Sequence, residues 1–148
     1  MTSLEKRIAE NLQAVRQRIA AAAARAGRNA DDVALVGVTK YVGTEEIRAL
    51  VAAGCHTLGE SRPQQLWEKA EALHELPIHW HMIGHLQRNK VRRTLPLVDM
   101  IQSADSRRLL DALAEEAARL QRTVPVLLEV NTSGDETKSG LEPEEVEP

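Results

Sequence analysis

The chain has 148 residues and a formal net charge of -3, enough for one domain with a real core and too acidic to imply a general attraction to nucleic acid or an anionic membrane. Its one cysteine, Cys55, excludes an internal disulfide and a cysteine-rich metal site. With no Phe, one Tyr and two Trp, the core must be aliphatic, and aromatic platforms for single-stranded nucleic acid are not to be expected.

The N-terminus runs straight into an amphipathic pattern with no apolar signal core, and no window approaches the roughly 20 apolar residues needed to span a bilayer. The expected location is the cytoplasm, without a membrane partner. Ser3 is a candidate cap for a helix whose apolar positions are Leu4, Ile8, Leu12, Val15, Ile19, Ala22 and Ala26, spaced by threes and fours and stopped by Gly27. Residues 32–40 then form an almost wholly apolar, Val-rich run ending on Lys40, the pattern of a strand buried on both faces of a parallel sheet. Thr44 opens a helix carrying Ile47, Leu50 and Val51, closed by Gly54. Residues 55–61 read as a second strand, and Pro63 suits the first turn of a helix over 64–73.

A third strand is predicted over 78–84, with a helix starting in 85–91, and a fourth strand over 98–103. Asp105 or Ser106 caps the helix through Leu109, Leu110, Leu113, Ala117 and Leu120. The fifth strand, 124–131, has Pro125 near its start, where a missing N–H is tolerable. A polar loop to Gly140 and the opening of another helix over 141–148 follow.

This alternation is the rhythm of a parallel α/β sheet. Two architectures fit it: a complete open sheet of five strands, or the first five units of a (β/α)8 TIM-type barrel, which needs eight units and about 250 residues. The acidic, proline-bounded helix opening at the end favours the barrel. The expectation is a single partial barrel domain over 1–148 with its C-terminal units missing.

Each unit sets polar groups just after its strand: Lys40; Glu60 and Ser61; His85 and Gln87; Ser103 and Asp105; Asn131, Thr132, Ser133 and Lys138. In a parallel barrel these converge on the carboxyl face. A lysine at such a strand end is a candidate for imine chemistry with a carbonyl, because a desolvated amine is a nucleophile; the alternative is a lysine that only extends into solvent. Four histidines crowd one region, His74, His79, His81 and His85, but no HExxH pair or matching Cys or carboxylate accompanies them, so no metal is expected. Arg88, Lys90, Arg92 and Arg93 read as a solvated helix face rather than a nucleic-acid site, and Lys138 lacks the spacing of a P-loop.

Three stretches together carry a family resemblance: Val36-Gly37-Val38-Thr39-Lys40, then Trp80-His81-Met82-Ile83-Gly84-His85-Leu86-Gln87-Arg88-Asn89-Lys90, then Glu129-Val130-Asn131-Thr132-Ser133-Gly134-Asp135-Glu136-Thr137-Lys138-Ser139-Gly140. With Gly59-Glu60-Ser61-Arg62-Pro63-Gln64-Gln65, the chain resembles the pyridoxal-phosphate homeostasis proteins, single-domain relatives of the alanine racemase N-domain barrel. The resemblance implies pyridoxal 5′-phosphate (PLP) held as a Schiff base on Lys40, with Ser61, Met82, Gly84, His85, Ser103 and Asn131 as cofactor-binding residues. It implies a carrier that buffers a reactive aldehyde in vitamin B6 homeostasis rather than an enzyme with firm turnover. PLP-dependent apoenzymes are the implied partners, with no nucleic acid.

Ser61 stands where that family commonly has Asn, and Tyr41-Val42-Gly43 replaces a run with a second lysine. The family's phosphate-gripping Ser- and Gly-rich segment and Arg-Ile-Gly segment are not found in these residues. Two other readings stand beside this one. A racemase-type PLP enzyme needs a second acid/base group from an added β-domain. A non-catalytic adaptor or RNA-contacting module would use the basic Arg88–Arg93 helix, with binding that steepens at low salt.

Overall fold

In the computed structural model, which describes residues 1–146, Thr2 rather than Ser3 opens helix α1 (Ser3–Arg25). The reason is the glutamate three residues on: Thr2 Oγ1 accepts from the Glu5 N–H while Glu5 Oε2 accepts from the Thr2 N–H, a reciprocal capping box. At the other end Gly27 adopts φ +65 and the Arg28 N–H bonds the Ala23 carbonyl at 2.9 Å, the left-handed closure that glycine makes easily.

Five units follow: β1 (Gly37–Val38), α2 (Thr44–Ala52), β2 (Thr57–Glu60), α3 (Pro63–Ala72), β3 (His79–Met82), α4 (Val91–Thr94), β4 (Met100–Ala104), α5 (Arg107–Arg119), β5 (Val126–Leu128) and the turn of helix α6 (Pro143–Val146). The strands are shorter than the apolar runs. Residues 30–32 form a 3-10 turn in which Asn29 Oδ1 accepts from the Asp31 N–H at 3.1 Å, which takes Asp32 from the 32–40 run, and of the rest only Gly37 and Val38 are paired, with Leu58 and Gly59 of β2. The expected helix from His85 is also broken up. A 3-10 turn, Arg88–Lys90, runs into the four residues of α4, and Pro96 sits in a second 3-10 turn, Leu95–Leu97. Proline removes a donor there and cannot continue a helix. Ser106, not Asp105, caps α5 through its hydroxyl. Glu147 and Pro148, the end of the expected last helix opening, lie outside the described residues.

All strand pairs are parallel and the sheet order is β1-β2-β3-β4-β5. The order never reverses, as it would in a doubly wound sheet. With right-handed crossovers, strands added in one direction carry their helices on one face. The burial pattern agrees. Leu58, Trp80, Met82 and Ile101 form the core with Ile47, Leu66, Leu95, Leu109 and Leu113 from the covering segments. On the opposite face the paired residues are Val38 and Gly59, then Gly59 and His81, then His81 and Met100. This is the wall of a parallel β/α barrel, five units of it, with its interior face presented.

Three arginines fasten successive units at the helix C-termini, where the last carbonyls have no partner within the helix. Arg16 of α1 donates to the Gly54 carbonyl at 2.7 Å and to that of Ala53. Arg48 of α2 donates to the Ala72 carbonyl at 3.2 Å. Arg122, just past α5, donates to the carbonyls of Leu95 and Val98 at 3.1 and 2.6 Å.

Candidate functional site

Lys40 occupies a corner at the carboxyl end of β1. The Val42 N–H bonds the Thr39 carbonyl at 3.1 Å, closing a β-turn in which Lys40 and Tyr41 are the two central residues. Lys40 is exposed, so the desolvation expected of a lysine at this strand end is not found among the described residues, and its ammonium lies 5.0 Å from the centre of the Tyr41 ring, within cation–π range. Among the described residues it forms no ion pair.

The ends of β2, β3 and β4 are drawn together. Ser103 Oγ, buried, donates to the Gly84 carbonyl at 2.5 Å. Gly84 in turn lies against the Ser61 backbone: a Cβ added there would stand 2.2 Å from the Ser61 carbonyl oxygen and 2.8 Å from its Cα. His85 Nδ1 and Asp105 Oδ2 are 2.7 Å apart, the imidazole exposed and the carboxylate nearly buried. Met82 is fully buried in the core cluster, so its side chain faces the helices and only its backbone borders this rim. Asn131 is held in its own loop, its Oδ1 accepting from the Ser133 N–H and hydroxyl and its Nδ2 donating to the Asp135 carbonyl. Among the described residues no hydrogen bond or ion pair joins Lys40 or Asn131 to the Ser61–Gly84–Ser103 group. A cavity of about 700 Å³ opens beside that group, between the segments after β3 and β4, bordered by His85, Arg88, Asp105 and Arg108.

Because the obstacle at Gly84 is backbone and not a flexible side chain, Gly84→Ala must displace the end of β2. We expect it to destabilise the fold by about 2 kcal/mol or more, measured by urea unfolding; a change within about 0.5 kcal/mol would mean the two strand ends separate freely.

The densest polar network lies on the helix-facing side. Glu60 is fully buried. Its Oε2 accepts from Lys69 Nζ at 2.7 Å and from the Thr39 hydroxyl at 3.2 Å, and its Oε1 accepts from the Ser61 N–H at 2.8 Å. Lys69 Nζ also donates to the Thr39 carbonyl at 2.7 Å. Sequence reasoning named Glu60 as a strand-end polar group but passed over Lys69 and Thr39. A signal was there: Lys69 falls three residues after Leu66 and four before Leu73, on the stripe of α3 whose leucines are buried, where a lysine needs a partner.

The histidines do not converge. His79 Nδ1 meets Asp99 Oδ2 at 3.0 Å, His81 Nδ1 accepts from Gln102 Nε2 at 2.9 Å, and His74 Nδ1 lies 3.0 Å from the Glu71 carbonyl. Among the described residues no three His, Cys, Asp or Glu are placed to hold a metal. Desolvation holds the His81 imidazole below its ordinary value, with Asp99 opposing and His79 reinforcing the shift. A base whose folded value is depressed contributes stability above its unfolded value, near 6.5, and loses it as pH falls towards the folded one. We therefore expect His81→Gln to reduce the drop in melting temperature between about pH 7 and pH 5, as followed by circular dichroism; an unchanged drop would rule His81 out as a contributor. Arg93 stacks over Trp67, its guanidinium 4.2 Å from the ring centre, and is thus committed to packing.

The profile of the family described as "Alanine racemase, N-terminal domain" matches residues 10–148. A pyridoxal phosphate homeostasis protein of Aquifex aeolicus is 42% identical over 91% of the chain and 59% of its own length; that of Pseudomonas aeruginosa is 36% identical over 94% and 60%. Among solved structures, PipY of Synechococcus elongatus, determined with PLP bound, superposes with a TM-score of 0.79 at 33% identity, covering 93% of the chain and 59% of PipY. A Bifidobacterium adolescentis protein superposes with a TM-score of 0.87 at 39% identity. The chain thus spans about 60% of the length of the relatives it matches.

Proposed function

The chain belongs to the alanine racemase N-terminal domain family, and from that premise we propose that it binds PLP as a Schiff base on Lys40 and serves vitamin B6 homeostasis as a carrier rather than as an enzyme. The observation that carries the reading is Lys40 itself: a primary amine at the carboxyl end of a parallel strand, exposed and in no ion pair among the described residues. A carboxylate partner would compete with any carbonyl for that amine, and among the described residues none does. The likeness to relatives named for PLP homeostasis, and to a PipY structure with PLP bound, gives the carbonyl compound its identity.

When bound, PLP supplies an aldehyde that an amine captures as an imine and that a second amine can carry away. The protein's own groups define the rest. Ser61, Gly84 and Met82 offer backbone at the strand ends, Ser103 fixes the Gly84 carbonyl, Asp105 orients the His85 ring, and Asn131 braces the loop after β5. Among the described residues no hydrogen bond or ion pair ties an acid or base to Lys40, which suits storage better than proton transfer. Release in this reading is to PLP-dependent apoenzymes in the cytoplasm; nucleic acid and membrane have no part in it.

The test is an absorption spectrum of the chain after incubation with PLP and desalting, followed by borohydride reduction and peptide mapping. A retained imine band, with the reduced adduct on the Lys40 peptide, is the expected result. A folded protein that retains no band would overturn the reading.

A further inference from the structure

Val38 of β1 stands opposite Gly59 of β2, and the Thr39 N–H bonds the Gly59 carbonyl at 2.9 Å. In a regular parallel ladder the next bond of that series would run from the Ser61 N–H to the Thr39 carbonyl. It is absent. The Ser61 N–H is turned onto the carboxylate of the neighbouring Glu60 instead, at 2.8 Å. The place it leaves at the Thr39 carbonyl is filled by Lys69, reaching from α3 with an ammonium 2.7 Å from that oxygen and 2.7 Å from Glu60 Oε2. The side chain of Lys69 is only 12% exposed and that of Glu60 is not exposed at all, so neither partner is free to trade this arrangement for water.

The Thr39 carbonyl has a second duty. It belongs to the peptide unit that leads into Lys40, and it accepts the Val42 N–H that closes the turn on which Lys40 sits. One oxygen therefore joins a buried ammonium, the end of β1 and the corner carrying the reactive amine. A charge-assisted donor fixes a carbonyl more firmly than a neutral one.

We propose that Lys69 is a positioning residue for Lys40. By standing in for the lost ladder bond, it sets the plane of the Thr39–Lys40 peptide and so the direction in which the Lys40 side chain leaves the strand end. Glu60 anchors Lys69 in that place. The benefit to cofactor retention rests on the reading of Lys40 given above; the effect on the turn does not.

The test has two arms, applied to wild type, Lys69→Met and Lys69→Arg. In the first, amide hydrogen exchange is measured at Val42 and, as an internal control, at Ile101 in β4, whose buried N–H bonds the Pro125 carbonyl at 3.1 Å, without any ligand. Lys69→Met should speed exchange at Val42 by about tenfold relative to Ile101, and Lys69→Arg should restore part of the protection. In the second, PLP release to a competing amine is followed by loss of the imine band, and it should be faster in Lys69→Met.

Equal acceleration at Val42 and Ile101 would show mere loosening of the fold and overturn the proposal, as would unchanged exchange at Val42. If wild type retains no PLP at all, the reading of Lys40 fails, while the exchange arm still decides whether Lys69 orders the turn. Should Lys69→Met not fold because Glu60 is stranded, the double variant Glu60→Gln, Lys69→Met removes the buried charges and is read in the same way.

Discussion

Treated with PLP and desalted, a Lys40→Ala variant should emerge without the imine band and yield no borohydride adduct, while its melting curve matches wild type. The two halves of the expectation come from one fact. Lys40 is exposed and, among the described residues, bonded to no other side chain beyond its contact with the Tyr41 ring, so its removal should disturb stability by no more than about 0.5 kcal/mol. The amine's chemistry has no substitute in the network behind it: Lys69 is nearly buried and committed to Glu60 and to the Thr39 carbonyl. A band of wild-type strength in the variant would place the imine on another lysine and dissolve the link between the strand end and the cofactor.

Glu60→Ala should have the opposite profile, with a large effect on stability. The substitution strands the Lys69 ammonium in a nearly closed site, removes the acceptor of the Ser61 N–H, and leaves the Thr39 hydroxyl with the Gly59 carbonyl alone. Breaking a buried pair from one side typically costs about 3–5 kcal/mol, and we expect a loss in that range from urea unfolding at neutral pH. The Glu60→Gln, Lys69→Met double variant should recover more than half of it, since removing both charges leaves none unpaired. A loss below about 1 kcal/mol for Glu60→Ala would mark the pair as behaving like a surface salt bridge.

These two residues also show where sequence reasoning reached and where it stopped. Strand positions, the order of units and the polar groups after each strand were legible because apolar runs, Gly27, Gly54 and Pro63 are local signals. Lys40 was legible as the end of the most apolar run. Strand lengths were not, since Asp32 at the head of that run falls in the turn capped by Asn29 and only Gly37 and Val38 find partners on β2, a register that an apolar run does not spell out. The four residues of α4 were masked by Pro96, whose effect on the preceding turns is set by packing. Lys69 was missed because its partner lies nine residues back on a different element, and nothing in a one-dimensional pattern says that a helix stripe and a strand end will meet. Met82 sits in a stretch that carries the family resemblance, yet strand alternation turns its side chain into the core.

The three arginine fasteners bear on how the chain comes together. They span 37 and 38 residues from Arg16, 24 from Arg48, and 24 to 27 from Arg122, and every strand pairs only with the strand next to it in sequence. Closing loops of that size is cheap, and longer ones would raise the entropy cost only slowly, but a topology of neighbours alone also keeps contact order low. Each described unit after the first can therefore dock on its predecessor as soon as the two are made, with no need to await a later segment for that contact.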